Sequence, residues 1–316
     1  MKRMIGLILS IILLVSLAAC GAEPETTQAP ETPTTAVTGA PTEAPATEAP
    51  TEPPVVITEM DMGEAVLVDV ENCTFTVRLA SANEHLGVTL DAVCANKTGQ
   101  PLIFAWNTVS VCGFMYDPFW AQEVAAGETV NSTVYIATYQ LEQYGITSVD
   151  EITFTLYIFD SEDFMAEPYV NDVFTIYPTG LTADTVVYPE RAAVGGEQVV
   201  TDSDGVAFII ESFENDAGTC TLRCYLNNRT DAALMFAWED VTVNGIAIDP
   251  MWAAEVAAGK QAYSEITFYS SQLEENGITD IGQIDFRLVV SDLEDWEAEN
   301  VLDQAFTFRA EDSIVG

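Results

Sequence analysis

An internal repeat constrains this chain more than any other feature. Phe104-Ala105-Trp106 returns as Phe236-Ala237-Trp238, and Asp117-Pro118-Phe119-Trp120 returns as Asp249-Pro250-Met251-Trp252. Glu123-Val124-Ala125-Ala126-Gly127 returns as Glu255-Val256-Ala257-Ala258-Gly259, and Leu141 with Gly145-Ile146-Thr147 returns as Leu273 with Gly277-Ile278-Thr279. Each pair lies 132 residues apart with no gap. Upstream the offset drifts, and Val55-Val56 aligns with Val186-Val187. The chain is therefore expected to fold as two copies of one unit, at 55–185 and 186–316. Units of this length are ordinary domains, not solenoid repeats.

Each copy reads as strands. Val88, Leu90, Ala92 and Cys94 alternate with more polar neighbours, as do Cys220, Leu222, Cys224 and Leu226, which is the period of a half-buried strand. Both runs end in turn chemistry, Asn96-Lys97-Thr98-Gly99 and Asn228-Arg229-Thr230-Asp231. Leu102 to Val111 reads as the next strand. Val241-Thr242-Val243, Asn244-Gly245, Ile246-Ala247-Ile248 predicts a two-residue hairpin, and the first copy has Cys112-Gly113 at that tip. Asp249-Pro250 ends the hairpin, because proline cannot donate to a ladder. Val130 to Ile136 and Tyr263 to Phe268 follow as strands. Ser270 to Gly277 predicts a short helix, capped by hydroxyls at its start and by glycine at its end. Ile152 to Phe159 with Val173 to Tyr177, and Ile284 to Val290 with Ala305 to Phe308, close the two copies.

About seven short strands per copy point to an all-β fold of two tandem antiparallel sandwiches. Trp106 and Trp238 sit mid-strand, early in each copy. In this the pattern resembles immunoglobulin-like domains, which place a core tryptophan there; that family's inter-sheet disulfide pair is missing. Five cysteines follow Cys20, an odd number, and Cys220 and Cys224 on one strand would be about 13 Å apart. Cys73, Cys94, Cys112, Cys220 and Cys224 are therefore expected as core thiols.

The N-terminus sets the compartment. Lys2 and Arg3 precede an apolar run from Met4 to Leu17, too short to span a bilayer comfortably. The run ends Leu17-Ala18-Ala19-Cys20-Gly21, which resembles the lipobox of bacterial lipoproteins. That resemblance implies a signal peptide at 1–19, cleavage before Cys20, acylation of the Cys20 sulfur, and anchoring on the outer side of the cell membrane. From Ala22 to Pro54 the chain is nearly all Thr, Pro, Ala and Glu, with too little apolar surface to fold. Residues 20–54 thus read as a lipidated cysteine followed by a disordered stalk, reaching on the order of 100 Å at about 3.1 Å per residue.

Composition excludes some partners. Fifty acidic residues face ten basic ones, a formal charge of −40, and two of the ten leave with the signal. A surface so acidic does not bind nucleic acid or anionic headgroups. Hydrophobic content of 48% still demands a packed core.

No catalytic constellation is visible. His85 is the only histidine and has no counterpart in the second copy. Lys97-Thr98-Gly99 matches a fragment of the penicillin-recognising signature but lacks its Ser-x-x-Lys partner. Two candidate sites remain. Asp160, Glu162 and Asp163 recur as Asp292, Glu294 and Asp295 in loops after a strand, where clustered carboxylates suit Ca²⁺. Trp120 and Trp252 follow Asp-Pro at a strand end and, if exposed, would stack on a sugar or anchor a protein. The expected function is a lipid-anchored, non-catalytic binding or adhesion module outside the cell, with a protein or carbohydrate ligand. The alternative is an accessory or structural subunit of an envelope or transport complex.

Overall fold

The computed structural model describes residues 62–83, 87–216, 218–295 and 297–312. The expected signal peptide, Cys20, the expected stalk, Val55-Val56, His85 and Trp296 lie outside the described residues.

The fold is all-β and follows the sequence period closely. The first copy runs β1 (Ala65–Asp69), β2 (Cys73–Asn83), β3 (Gly87–Asn96), β4 (Leu102–Val111), β5 (Phe114–Tyr116), β6 (Ala121–Val124), β7 (Thr129–Ile136), helix α1 (Thr138–Gln143), β8 (Ile152–Asp160) and β9 (Val170–Ile176). The second repeats it as β10 (Gln198–Ser203), β11 (Val206–Asp216), β12 (Thr219–Asn228), β13 (Leu234–Val243), β14 (Ile246–Ala247), β15 (Ala253–Val256), β16 (Gln261–Phe268), α2 (Ser270–Glu275), β17 (Gln283–Asp292) and β18 (Leu302–Arg309). From β3 onward, the strands that match the repeated motifs keep the 132-residue offset. β1 and β2 precede β10 and β11 by 133 instead, because three residues separate β2 from β3 and two separate β11 from β12.

Within each copy two antiparallel sheets pack face to face. In the first, β1-β2-β3-β7 lies against β9-β8-β4, with β5 and β6 sharing the β4 edge; in the second, β10-β11-β12-β16 lies against β18-β17-β13, with β14 and β15 sharing the β13 edge. Alternation sends Phe75, Leu90, Phe104, Trp106 and Phe154 into one core, and Phe208, Leu222, Phe236, Trp238 and Phe286 into the other. Burying each such side chain contributes about 1.5–3 kcal/mol. Trp106 stacks on Phe154 at 3.7 Å, and Trp238 stacks on Phe286 at the same distance.

The turns obey their chemistry. Asn244 and Gly245 take φ of 50° and 81°, and Cys112 and Gly113 take 47° and 84°, so both hairpins have the two positive angles of a type I′ turn. Asn228 is fully buried and donates to the carbonyls of Ala232, Val256 and Ala257, while its Oδ1 accepts from the backbone N–H and hydroxyl of Thr230. Asn96 makes the same five bonds in the first copy. Helix α2 departs from expectation at its start. Tyr269 is the N-cap, with no side-chain capping bond, so the serines begin the helix instead of capping it. Its end is as expected: Gly277 donates to Glu274 and Ile278 to Leu273, the paired bonds of a Schellman motif.

The two copies share one sheet. β16 of the second pairs in parallel with β5 of the first through Gln261 and Phe114, producing a nine-stranded sheet that crosses from one copy to the other. The connector at 177–197 contains no strand, and its Tyr188 lies against Gly113 and Glu151 at this junction.

Candidate functional site

The residues of both expected sites make contacts within the fold. Trp120 is 7% exposed, packs edge-on against Trp106, and donates its indole N–H to Ser132 at 3.1 Å. Trp252 is half-buried, packs edge-on against Phe208 and Trp238, and donates to Ser264 at 2.9 Å. Both close the end of a core, so neither offers a free ring to a ligand.

The acidic loops are likewise committed to themselves. Asp160 Oδ1 accepts the backbone N–H of Glu162 at 2.8 Å, and Asp163 Oδ1 accepts that of Met165 at 3.1 Å. Asp292 Oδ1 accepts from Glu294 and Asp295, and Asp295 Oδ1 from Glu297. Glu162 and Glu294 point to solvent. Among the described residues no three His, Cys, Asp or Glu side chains converge as a metal requires. Through these bonds the carboxylates shape turns.

The five described cysteines are free and buried. Burial pushes their thiols up, Cys94 to about 12, so none is a ready nucleophile. Lys97 serves a turn, donating to Asp69 at 2.8 Å and to the Val70 carbonyl at 2.9 Å.

The densest chemistry lies where the copies meet. Glu151, the residue before β8, is buried. Its carboxylate accepts the Tyr188 hydroxyl at 2.8 Å on each oxygen and Lys260 Nζ at 3.0 Å. Lys260 also lies over the Tyr188 ring, 5.3 Å from its centroid. The Tyr188 ring sits where a Cβ on Gly113 would lie 2.9 Å away, so glycine is needed there for contact as well as for its φ. The Gly113 carbonyl accepts the Gln261 N–H at 2.9 Å. Beside this, Phe114, Tyr144 and Tyr263 form a stack with centroids 5.2–5.6 Å apart.

A second ionic cluster ties in the connector. Arg191 donates from Nε to the buried Glu211 at 2.8 Å, also pairs with Glu197, and lies over Tyr225. Arg223 lies 3.3 Å from Glu211 and its guanidinium covers the Tyr263 ring. Arg191 holds the Glu197 carboxyl below the usual range, despite some desolvation. A cleft of about 390 Å³ opens here between Tyr144, Arg191, Arg223 and Tyr263. Of the eight basic residues after Arg3, three (Arg191, Arg223 and Lys260) are at this junction.

Sequence reasoning missed the junction, though a signal existed. At the 132-residue offset Lys260 faces Glu128, Arg223 faces Asp91, Tyr263 faces Asn131 and Tyr225 faces Val93. The copies diverge in charge and aromaticity where one copy receives the other. A second feature was also missed. Among the described residues the most exposed aromatic side chain is not Trp120 but its neighbour Phe119, at 82%, and its counterpart Met251 is 89% exposed.

No protein-family model matches this chain, and no curated protein matches it either. Among solved structures, the exo-chitosanase CsxA of Amycolatopsis orientalis is 11% identical with a TM-score of 0.18; the match covers 74% of this chain and 26% of that one. The DEL162-163 mutant of Bacillus subtilis oxalate decarboxylase OxdC is 9% identical with a TM-score of 0.10, covering 67% and 73%. This chain thus spans about a quarter of the chitosanase. At these scores the resemblances carry no argument about function.

Proposed function

We propose that this chain is a lipid-anchored, extracytoplasmic binding module without catalytic activity, held away from the membrane by its acidic stalk and presenting two copies of one sandwich as a single rigid body. The observation that carries this reading is the junction. A chain with few cations sets three of them where the copies meet and continues one sheet across the boundary. Fixing two related surfaces in one orientation suits multivalent contact, in which the second engagement is intramolecular. The charged groups at the junction pair with one another. The lipobox and stalk supply the location.

The test follows full-length protein in cells. Wild type is expected in the detergent phase and cleavable within the stalk by external protease, while Cys20→Ala leaves the detergent phase. One acyl chain anchors only marginally, so a stable anchor requires at least two lipid chains on the mature terminus. Equal partitioning of the two proteins, or protection from external protease, defeats this reading.

A further inference from the structure

We propose that Phe119 and Met251 are contact residues of this module, each seating in an apolar pocket rimmed by lysine or arginine on a partner protein; the proposal rests on the binding reading above. Three observations converge on these positions. First, they are almost wholly exposed, at 82% and 89%. Isolated exposed apolar residues are common and need no explanation. These two, however, occupy the same place in both copies.

Second, both lie on left-handed backbone, with φ of 49° and 54°. For a bulky side chain this conformation is an outlier costing about 1–2 kcal/mol, which glycine or asparagine at the same place would avoid. A buried side chain recovers such a cost by packing. Phe119 and Met251 do not, so the fold gains nothing from their size.

Third, the loop holds them rigidly. Asp117 Oδ1 accepts the Phe119 N–H at 2.8 Å, and Asp249 Oδ1 accepts the Met251 N–H at 2.7 Å. Pro118 and Pro250 fix the preceding φ. Trp120 and Trp252, next in the chain, are tied through their indole N–H groups to Ser132 and Ser264. A preorganised apolar knob binds without a large ordering cost.

The comparison between copies strengthens the case. Exposed residues have diverged freely elsewhere, even from apolar to charged, as with exposed Met165 and its exposed counterpart Glu297. Position 119 changed to methionine at 251, yet kept its size, apolarity and exposure. The partner's chemistry follows from charge. Each knob stands two residues from an exposed aspartate whose second oxygen is not used by the turn, on a chain of formal charge −40. That field attracts a cationic protein surface and repels anionic lipid headgroups.

The experiment places a photoreactive benzoylphenylalanine at 119 or 251 of the full-length protein in cells, with position 173, a 67% exposed valine, as control. Positions 119 and 251 are expected to give one shared protein adduct with a basic surface, absent at 173 and lost at 1 M salt, where charges are screened within about 3 Å. In a Phe119→Asn background, adduct formation at 251 falls about tenfold if one partner engages both knobs, as for a hot-spot residue. The double variant Phe119→Asn, Met251→Asn keeps or raises the wild-type melting temperature. Lipid, glycan or self adducts, no adduct, or a lowered melting temperature overturn the proposal. An adduct at 173 alone overturns it while leaving the binding-module reading intact.

Discussion

Replacing Lys260 by methionine keeps the length and apolar stem of the side chain but removes its charge. In the native protein Lys260 and Glu151 are 14% and 7% exposed at the side chain and 3.0 Å apart. This is a buried pair, so screening by water is slight. Losing one partner of such a pair costs about 3–5 kcal/mol, most of it from the charge left behind. Glu151 retains the two contacts from Tyr188 at 2.8 Å, which places the expected cost at about 3 kcal/mol, near the lower end. For a unit of this size, each kcal/mol moves the melting temperature by about 2–4 °C, so the shift should be about 6–12 °C.

Calorimetry separates two consequences of this change. Wild type should melt in one transition, because the copies share a sheet. Lys260→Met should lower that transition and begin to split it. Combining it with Glu151→Gln should cost less than the two single changes together, by about 1–3 kcal/mol, since the orphaned charge is then gone. A cost below about 0.5 kcal/mol for Lys260→Met would place the pair among ordinary surface ion pairs and refute the account of the junction.

Asn228→Ala should destabilise by about 3 kcal/mol or more, because it removes a fully buried side chain's hydrogen bonds to the carbonyls of Ala232, Val256 and Ala257 and from Thr230; equilibrium unfolding in urea measures it. Tyr188→Phe should flatten the alkaline limb of stability. Burial, helped by the hydrogen bond to Glu151, raises the Tyr188 phenol above its ordinary value. Its stabilising contribution is therefore complete below a pH of about 10 and is lost as the pH rises through the higher folded value. Melting temperatures of both proteins above that pH test the sign.

The fold was legible because it rests on local rules. Two-residue alternation in Cys220 to Leu226, the Asn244-Gly245 tip and the Gly277 stop each specify geometry within a few residues. The buried role of Asn96 and Asn228 appeared only as turn chemistry, because the carbonyls they bind come from residues some thirty positions away. The sites were less legible for a related reason. Trp120 and Asp160 were singled out by type, yet type does not reveal whether an indole turns inward or whether a carboxylate bonds its own loop. Phe119 escaped notice because exposure and a positive φ are tertiary facts. The junction depends on which copy faces which, information held in the differences between copies and not in their shared pattern.

Those differences permit an internal control. Glu128 occupies on the first copy the place of Lys260 on the second, at the start of β7 as Lys260 precedes β16. The backbone N–H groups of both residues make the same turn bond, to Ala125 and Ala257 at 3.1 Å. Yet Glu128 is exposed, and the edge of β7 away from β3 pairs with no strand among the described residues. If the junction selects lysine at 260, exchanging the residues should have unequal effects. Lys260→Glu places a second carboxylate beside buried Glu151 and should cost more than Lys260→Met, because repulsion is added to the lost attraction. Glu128→Lys should change stability by no more than about 0.5 kcal/mol, as for a surface site. Parallel urea unfolding of the three variants decides between selection by the junction and selection by the local turn. Equal costs for the two charge reversals would show that the turn sets the residue in each copy, and the divergence would then say nothing about how the copies are joined.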